Sequence, residues 1–178
     1  MTGVCITPKG NKHSAGTDTL NDKVRVTKGI YLTSEEAQDR LYYLQTKYSR
    51  GIFSNNTALF LFGYVEHLDE VTMTFPQGYN VSSLKDEGII VRKLIPENYS
   101  ADIEEIQTAK GNIVRVYSIE RTLCDMLRGS RIDYFTVTNA MHRYAGNQNR
   151  RPDKMLEIAE RLRVRPKVMP FVEAMLRD

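Results

Sequence analysis

The stretch IVRVYSIERTLCDMLR, Ile113 to Arg128, changes period in its middle. As far as Tyr117 apolar and polar residues alternate, as they do in a strand with one buried face. From Ser118, whose hydroxyl can cap a helix, Leu123, Met126 and Leu127 recur at helical spacing. The chain therefore passes from sheet to helix at Ser118. Upstream, Lys110-Gly111-Asn112 is a turn that folds Ile103–Thr108 against Ile113–Tyr117 as a hairpin. Ile89–Leu94 reads as another strand, and so does Val71–Phe75, which Pro76 cuts off before the turn residues Gln77-Gly78-Tyr79-Asn80. Downstream, helices are predicted from Asp133 to Ala145 with Gly146-Asn147 closing, from Pro152 to Leu162, and from Pro166 to Leu176.

The N-terminal half adds a short strand pair, Val24–Val26 with Ile30–Leu32. One helix follows, capped by Thr33 or Ser34 and buried through Ala37, Leu41, Leu44 and Tyr48 as far as Gly51. Ser54 is the expected cap of a second helix whose core, Ala58, Leu59, Leu61 and Phe62, is apolar all round and belongs inside; Gly63 ends it. Strands in the middle with helices at both ends make an α+β fold. The expectation is a mostly antiparallel central sheet packed with helices and followed by a C-terminal helical segment. A flexible tail over 1–23 precedes a domain over 24–178, whose basic helical part starts at about 131.

Composition narrows the class. With 178 residues, 41% hydrophobic and 26% charged, the chain can build a core. No apolar run approaches the ~20 residues that span a bilayer, and the N-terminus lacks a signal-peptide core. A cytoplasmic protein without membrane contact is expected, with Cys5 and Cys124 as reduced thiols. Charge is uneven within a net +3. Glu66 to Lys110 holds nine acids against four bases, whereas Arg143 to Lys167 holds eight bases against three acids. Such a basic end can steer an anionic partner, either nucleic acid or an acidic protein face.

Chemistry is sparse. His13, His67 and His142 do not cluster at metal-ligand spacing, and there is no phosphate loop or nucleophile elbow. No cofactor or metal is implied, and no catalytic residue. Cys124 with His142 as base would be the one nucleophilic pairing, but a cysteine mid-helix beside Leu123 is far more often a small buried core residue. Arg121 and Asp125, four apart, read as an ordinary exposed or half-exposed helical ion pair. The alternative is that Glu120 and Arg121 hold a loop against the sheet or meet a partner. Asn55-Asn56 suits a helix's first turn, and Asn80 an unusual turn geometry. Tyr79, at a turn tip, either folds down over the core or is offered to a partner. The sharpest candidate surface is basic: Arg143, Arg150, Arg151, Lys154, Arg161, Arg163, Arg165 and Lys167 could form a stripe that binds a phosphate backbone or a protein partner. Its bland counterpart is a solvated helical face.

Five strings in order also carry a family resemblance: KGIYLT (Lys28–Thr33), RGIFSNNTALFLFGY (Arg50–Tyr64), TFPQGYN (Thr74–Asn80), VRVYSIERTLCDMLR (Val114–Arg128) and AERLRVRPKV (Ala159–Val168). Together they resemble the bacterial abortive-infection antitoxins of AbiEi type, from Lys28 to the C-terminus. The resemblance implies a non-enzymatic antitoxin that counteracts a cognate nucleotidyltransferase toxin in phage defence, the family's antagonism being generally indirect. Family members usually carry an N-terminal winged helix-turn-helix that binds their own promoter. Only twenty-seven residues precede Lys28, so that element is expected to be missing, and sequence-specific promoter binding with it. Asn55-Asn56 stand where the family commonly has His-Glu, Phe62 where it has His, and Ser118-Ile119 where it has Asp-Pro. The alternative is a nucleic-acid-binding transcriptional regulator acting through the basic C-terminal helices.

Overall fold

The structure, a computed structural model, describes residues 23–128 and 132–176. The expected tail over 1–23, with Cys5 and His13, lies outside them except for Lys23. Strands β1 (Lys23–Thr27) and β2 (Ile30–Thr33) form the expected antiparallel pair, a small sheet of its own. Thr33 caps α1 (Ser34–Ala37) in a capping box: its hydroxyl accepts from Glu36 N, and the Glu36 carboxylate accepts from Thr33 N at 2.8 Å.

The single helix expected over 34–48 is two. Asp39 interrupts it, because its carboxylate is a better cap than a helix interior residue. It accepts from Tyr42 N at the start of α2 (Arg40–Lys47), from Thr108 Oγ1, and from Asn112 Nδ2 at 3.0 Å. A buried side chain thus ties the helix pair to the turn of the hairpin expected over 103–117.

Next come β3 (Ile52–Phe53), α3 (Asn55–Leu61), β4 (Val71–Pro76), a 3-10 turn (Ser82–Glu87), β5 (Ile89–Leu94), α4 (Pro96–Tyr99), β6 (Ile103–Gln107) and β7 (Ile113–Tyr117). The five-stranded sheet runs β5-β4-β3-β7-β6. It is mixed, which corrects the mostly antiparallel expectation. β3 pairs antiparallel with β4, and β6 with β7, but β4 with β5 and β3 with β7 are parallel. After Pro76 the chain does not fold straight back: the turn and the 3-10 segment return it to the start of β4, so β5 runs in the same direction. β4 is buried at all six positions, as befits a strand covered on both faces. On one face Met73 and Phe75 join Leu41 and Leu44 of α2 in a buried cluster. On the other, Thr72 N donates to Thr57 Oγ1 at 2.8 Å and Thr74 Oγ1 to Ser54 Oγ at 2.9 Å.

Helices α5 (Ile119–Met126), α6 (Tyr134–Ala145), α7 (Pro152–Arg161) and α8 (Arg165–Met175) form the C-terminal segment. Leu123, Cys124, Met141, Tyr144, Ile158 and Val172 belong to its core. α3 lies where the two cores meet: Ala58 belongs to the sheet cluster, Leu59 to the helical one, and Phe62 packs against both. Among the described residues no helix is long and apolar enough to cross a membrane.

Candidate partner interface

Ser118 at the head of α5 fixes what lies around it. Its hydroxyl accepts from Arg121 N at 3.3 Å, so the helix starts there and its first turn places Glu120 and Arg121 at the seam between sheet and helices. Both are buried, at 1% and 0% exposure. The Arg121–Asp125 pair expected at the surface exists, Nε to Oδ2 at 2.7 Å, yet it lies inside. Arg121 also reaches Asp102 at 3.3 Å, donates to Asn98 O at 3.1 Å, and lies 5.0 Å from the Tyr117 ring centroid. It therefore holds the loop between α4 and β6 against the sheet. Burial works to lower the Arg121 pKa, but the Asp125 charge and hydrogen bond outweigh it and the group is raised.

Glu120 faces the other way. Its Oε1 accepts from Tyr144 OH and from Arg151 Nε, each at 3.0 Å, and its Oε2 from Arg151 Nη2 at 2.9 Å. Arg151 also donates to Glu104 of β6 at 3.0 Å, and its pKa is raised, first by the bond to Glu120 and then by that to Glu104. Lys154 Nζ stands 3.4 Å from the same Glu104 oxygen, and Arg161 pairs with Asp102. No buried side-chain nitrogen or oxygen among the described residues lacks a hydrogen-bond partner.

Most bases of the stripe contact groups of the chain itself, although none of the eight is buried. Arg151, Lys154 and Arg161 of the base-rich segment meet Asp102, Glu104 and Glu120 around the β6–α5 edge. Arg165 pairs with Glu160 at 3.1 Å, and Lys167 Nζ donates to Leu127 O at 3.0 Å. Arg143 Nη1 donates to Gly63 O at 3.2 Å and Tyr64 O at 2.9 Å, closing the end of α3 onto α6. Arg150 lies near Asn147 O at 3.5 Å. Arg163 is exposed between α7 and α8 with a left-handed backbone, φ 58°. Tyr79 takes the first of its two expected places: it stacks on Phe75 with centroids 4.7 Å apart. Above the Glu120–Arg151 pair lies an open basin of about 510 Å³, lined also by Tyr64, Asn147, Asn149 and Arg150.

No family model matches the chain, and a search of curated proteins finds no match.

Asp102, Glu104 and Glu120, the carboxylates that answer the bases, were not singled out together by the sequence reading. For Asp102 and Glu104 the signal is the acidic surplus between Glu66 and Lys110, part of which folding brings onto the basic segment; Glu120 lies outside that stretch. Asn55 is in the left-handed region, φ 51°, at the start of α3, and its Oδ1 accepts from Arg92 of β5. Cys124 is fully buried beside Met155 O, and burial pushes its thiol up to about 12.

Proposed function

We propose that the protein is a cytosolic, non-enzymatic antitoxin that counteracts a cognate nucleotidyltransferase toxin. One observation carries this reading: the three long strings of the AbiEi resemblance lie together. Arg50–Tyr64 supplies β3 and α3, Thr74–Asn80 the end of β4 and its turn, and Val114–Arg128 β7 and α5. β3 pairs with β4 and β7 on its two sides, and α3 packs on α5. The strings are thus one packed centre rather than scattered coincidences.

Two departures from the family's pattern leave that centre intact. Ser118, where Asp is common, performs the same capping, and Phe62, where His is common, packs between the two cores. The nucleic-acid-binding regulator draws less support, since most of the arginines it would use contact carboxylates or carbonyls of the chain itself.

Co-expression with a cognate nucleotidyltransferase toxin tests the proposal: cells should grow, and reversing Arg161, Arg163 and Arg165 to Glu should put that growth, not DNA affinity, at risk. Failure of rescue with soluble protein present overturns it. Salt-sensitive DNA binding that collapses on the same reversal would favour the regulator.

A further inference from the structure

A groove runs between residues 64–70, which connect α3 to β4, and the outer side of α6. One part, about 660 Å³, is lined by Tyr64, Val65, Glu66, Phe135, His142 and Arg143 among others. The next, about 230 Å³, shares Val65 and Thr136 with it and adds His67, Asp69 and Glu70. Two aromatic side chains stand in water beside it at the start of α6: Tyr134 is 62% exposed and Phe135 79%. Neighbouring exposed aromatics beside the half-buried Tyr64 and Val65 have the composition of a binding anchor.

The rim decides the partner. Glu66, Asp69 and Glu70 are all exposed, and none makes an ion pair with a described residue. No Lys or Arg lies between Gly63 and Val71. Arg143, at the far end, is held by the carbonyls of Gly63 and Tyr64. The acids Asp102, Glu104 and Glu120 are matched by arginines, whereas here, among the described residues, anionic charge stands without an ion pair beside exposed aromatics.

We propose that this groove docks a basic peptide segment of a partner protein, with an apolar side chain of that segment packed on Phe135 and its Lys or Arg residues on Glu66, Asp69 and Glu70. The acidic rim repels a phosphate backbone or an anionic membrane surface. A second copy brought up about a two-fold axis would offer the same acidic patch, not a basic one. The inference stands apart from the antitoxin reading, because it concerns the chemistry of the partner and not its activity.

Selection of short random displayed peptides on the full-length protein, followed by anisotropy titration of the enriched sequences, tests it. Enriched peptides should pair Lys or Arg with Leu, Ile or Phe and bind more weakly at high salt. They should lose about tenfold or more in affinity both on Phe135→Ala and on Glu66→Lys with Asp69→Lys and Glu70→Lys, the loss typical of a binding anchor. All four positions are exposed, and unchanged thermal unfolding of each variant controls for folding. No enrichment, enrichment of acidic peptides, or binding indifferent to both variants overturns the proposal. So does a concentration-dependent dimer that Phe135→Ala abolishes, which would assign the face to self-association.

Discussion

Gly51 is a residue whose importance is spatial. A Cβ there would run into the methyl of Met73 and stand 2.9 Å from Phe75 Cζ, both side chains being fully buried. Gly51→Ala should therefore cost about 1–3 kcal/mol by overpacking, read as a lower urea midpoint with an unchanged slope. Cys124 is the opposite case, legible from sequence as a core residue because it sits mid-helix beside Leu123 and free cysteine is among the most buried residue types. With the thiol buried and raised to about 12, a Cys5→Ser protein should react with a disulfide reagent at pH 8 only after unfolding; rapid native labelling would contradict the burial. Arg121 shows where such reading stops. Its spacing to Asp125 was visible, but its depth was not, because depth is decided by Asp102 and Asn98, which arrive from another part of the chain.

Element starts were more legible than element relations. Thr33 and Ser118 cap as their chemistry requires, and Asp133 caps α6 by accepting from Thr136 N at 3.1 Å. The Asp133 carboxyl is held below its ordinary value, first by the Thr136 side-chain hydrogen bond and then by the Thr136 backbone. A carboxylate lowered on folding stabilises fully above its unfolded pKa and loses that contribution as pH falls through its folded one. Asp133→Ala should cost about 1 kcal/mol at neutral pH, and the difference from wild type should shrink in acid below pH ~4; a difference that grew in acid would refute the assignment. The mixed sheet and the break at Asp39 escaped the local reading for one reason. Strand direction after Pro76 is set by where the 3-10 turn delivers the chain, and the use of Asp39 as a cap is favoured by partners some seventy residues away, Thr108 and Asn112.

The sheet and the C-terminal helices are joined by charges as well as by the apolar contacts of α3. Glu120 is almost wholly buried while Arg151 is 48% exposed, so removing the arginine strands a carboxylate that, among the described residues, only the Tyr144 side chain still serves. Arg151→Ala should cost about 1–3 kcal/mol. A double-mutant cycle with Glu120→Gln should return a coupling of at least ~0.5 kcal/mol, and strict additivity would mean the pair is incidental. The two-residue strand β3 has a further meaning in time. It occupies the middle of the sheet, between β4, which follows soon after it, and β7, whose partner residue Val116 lies far along the chain from Phe53. During synthesis the N-terminal half emerges with one side of its central strand unfilled, and it stays so until β7 has left the ribosome. Closing the sheet therefore waits on a contact distant in sequence, and until it forms one edge of β3 stays open to other pairing.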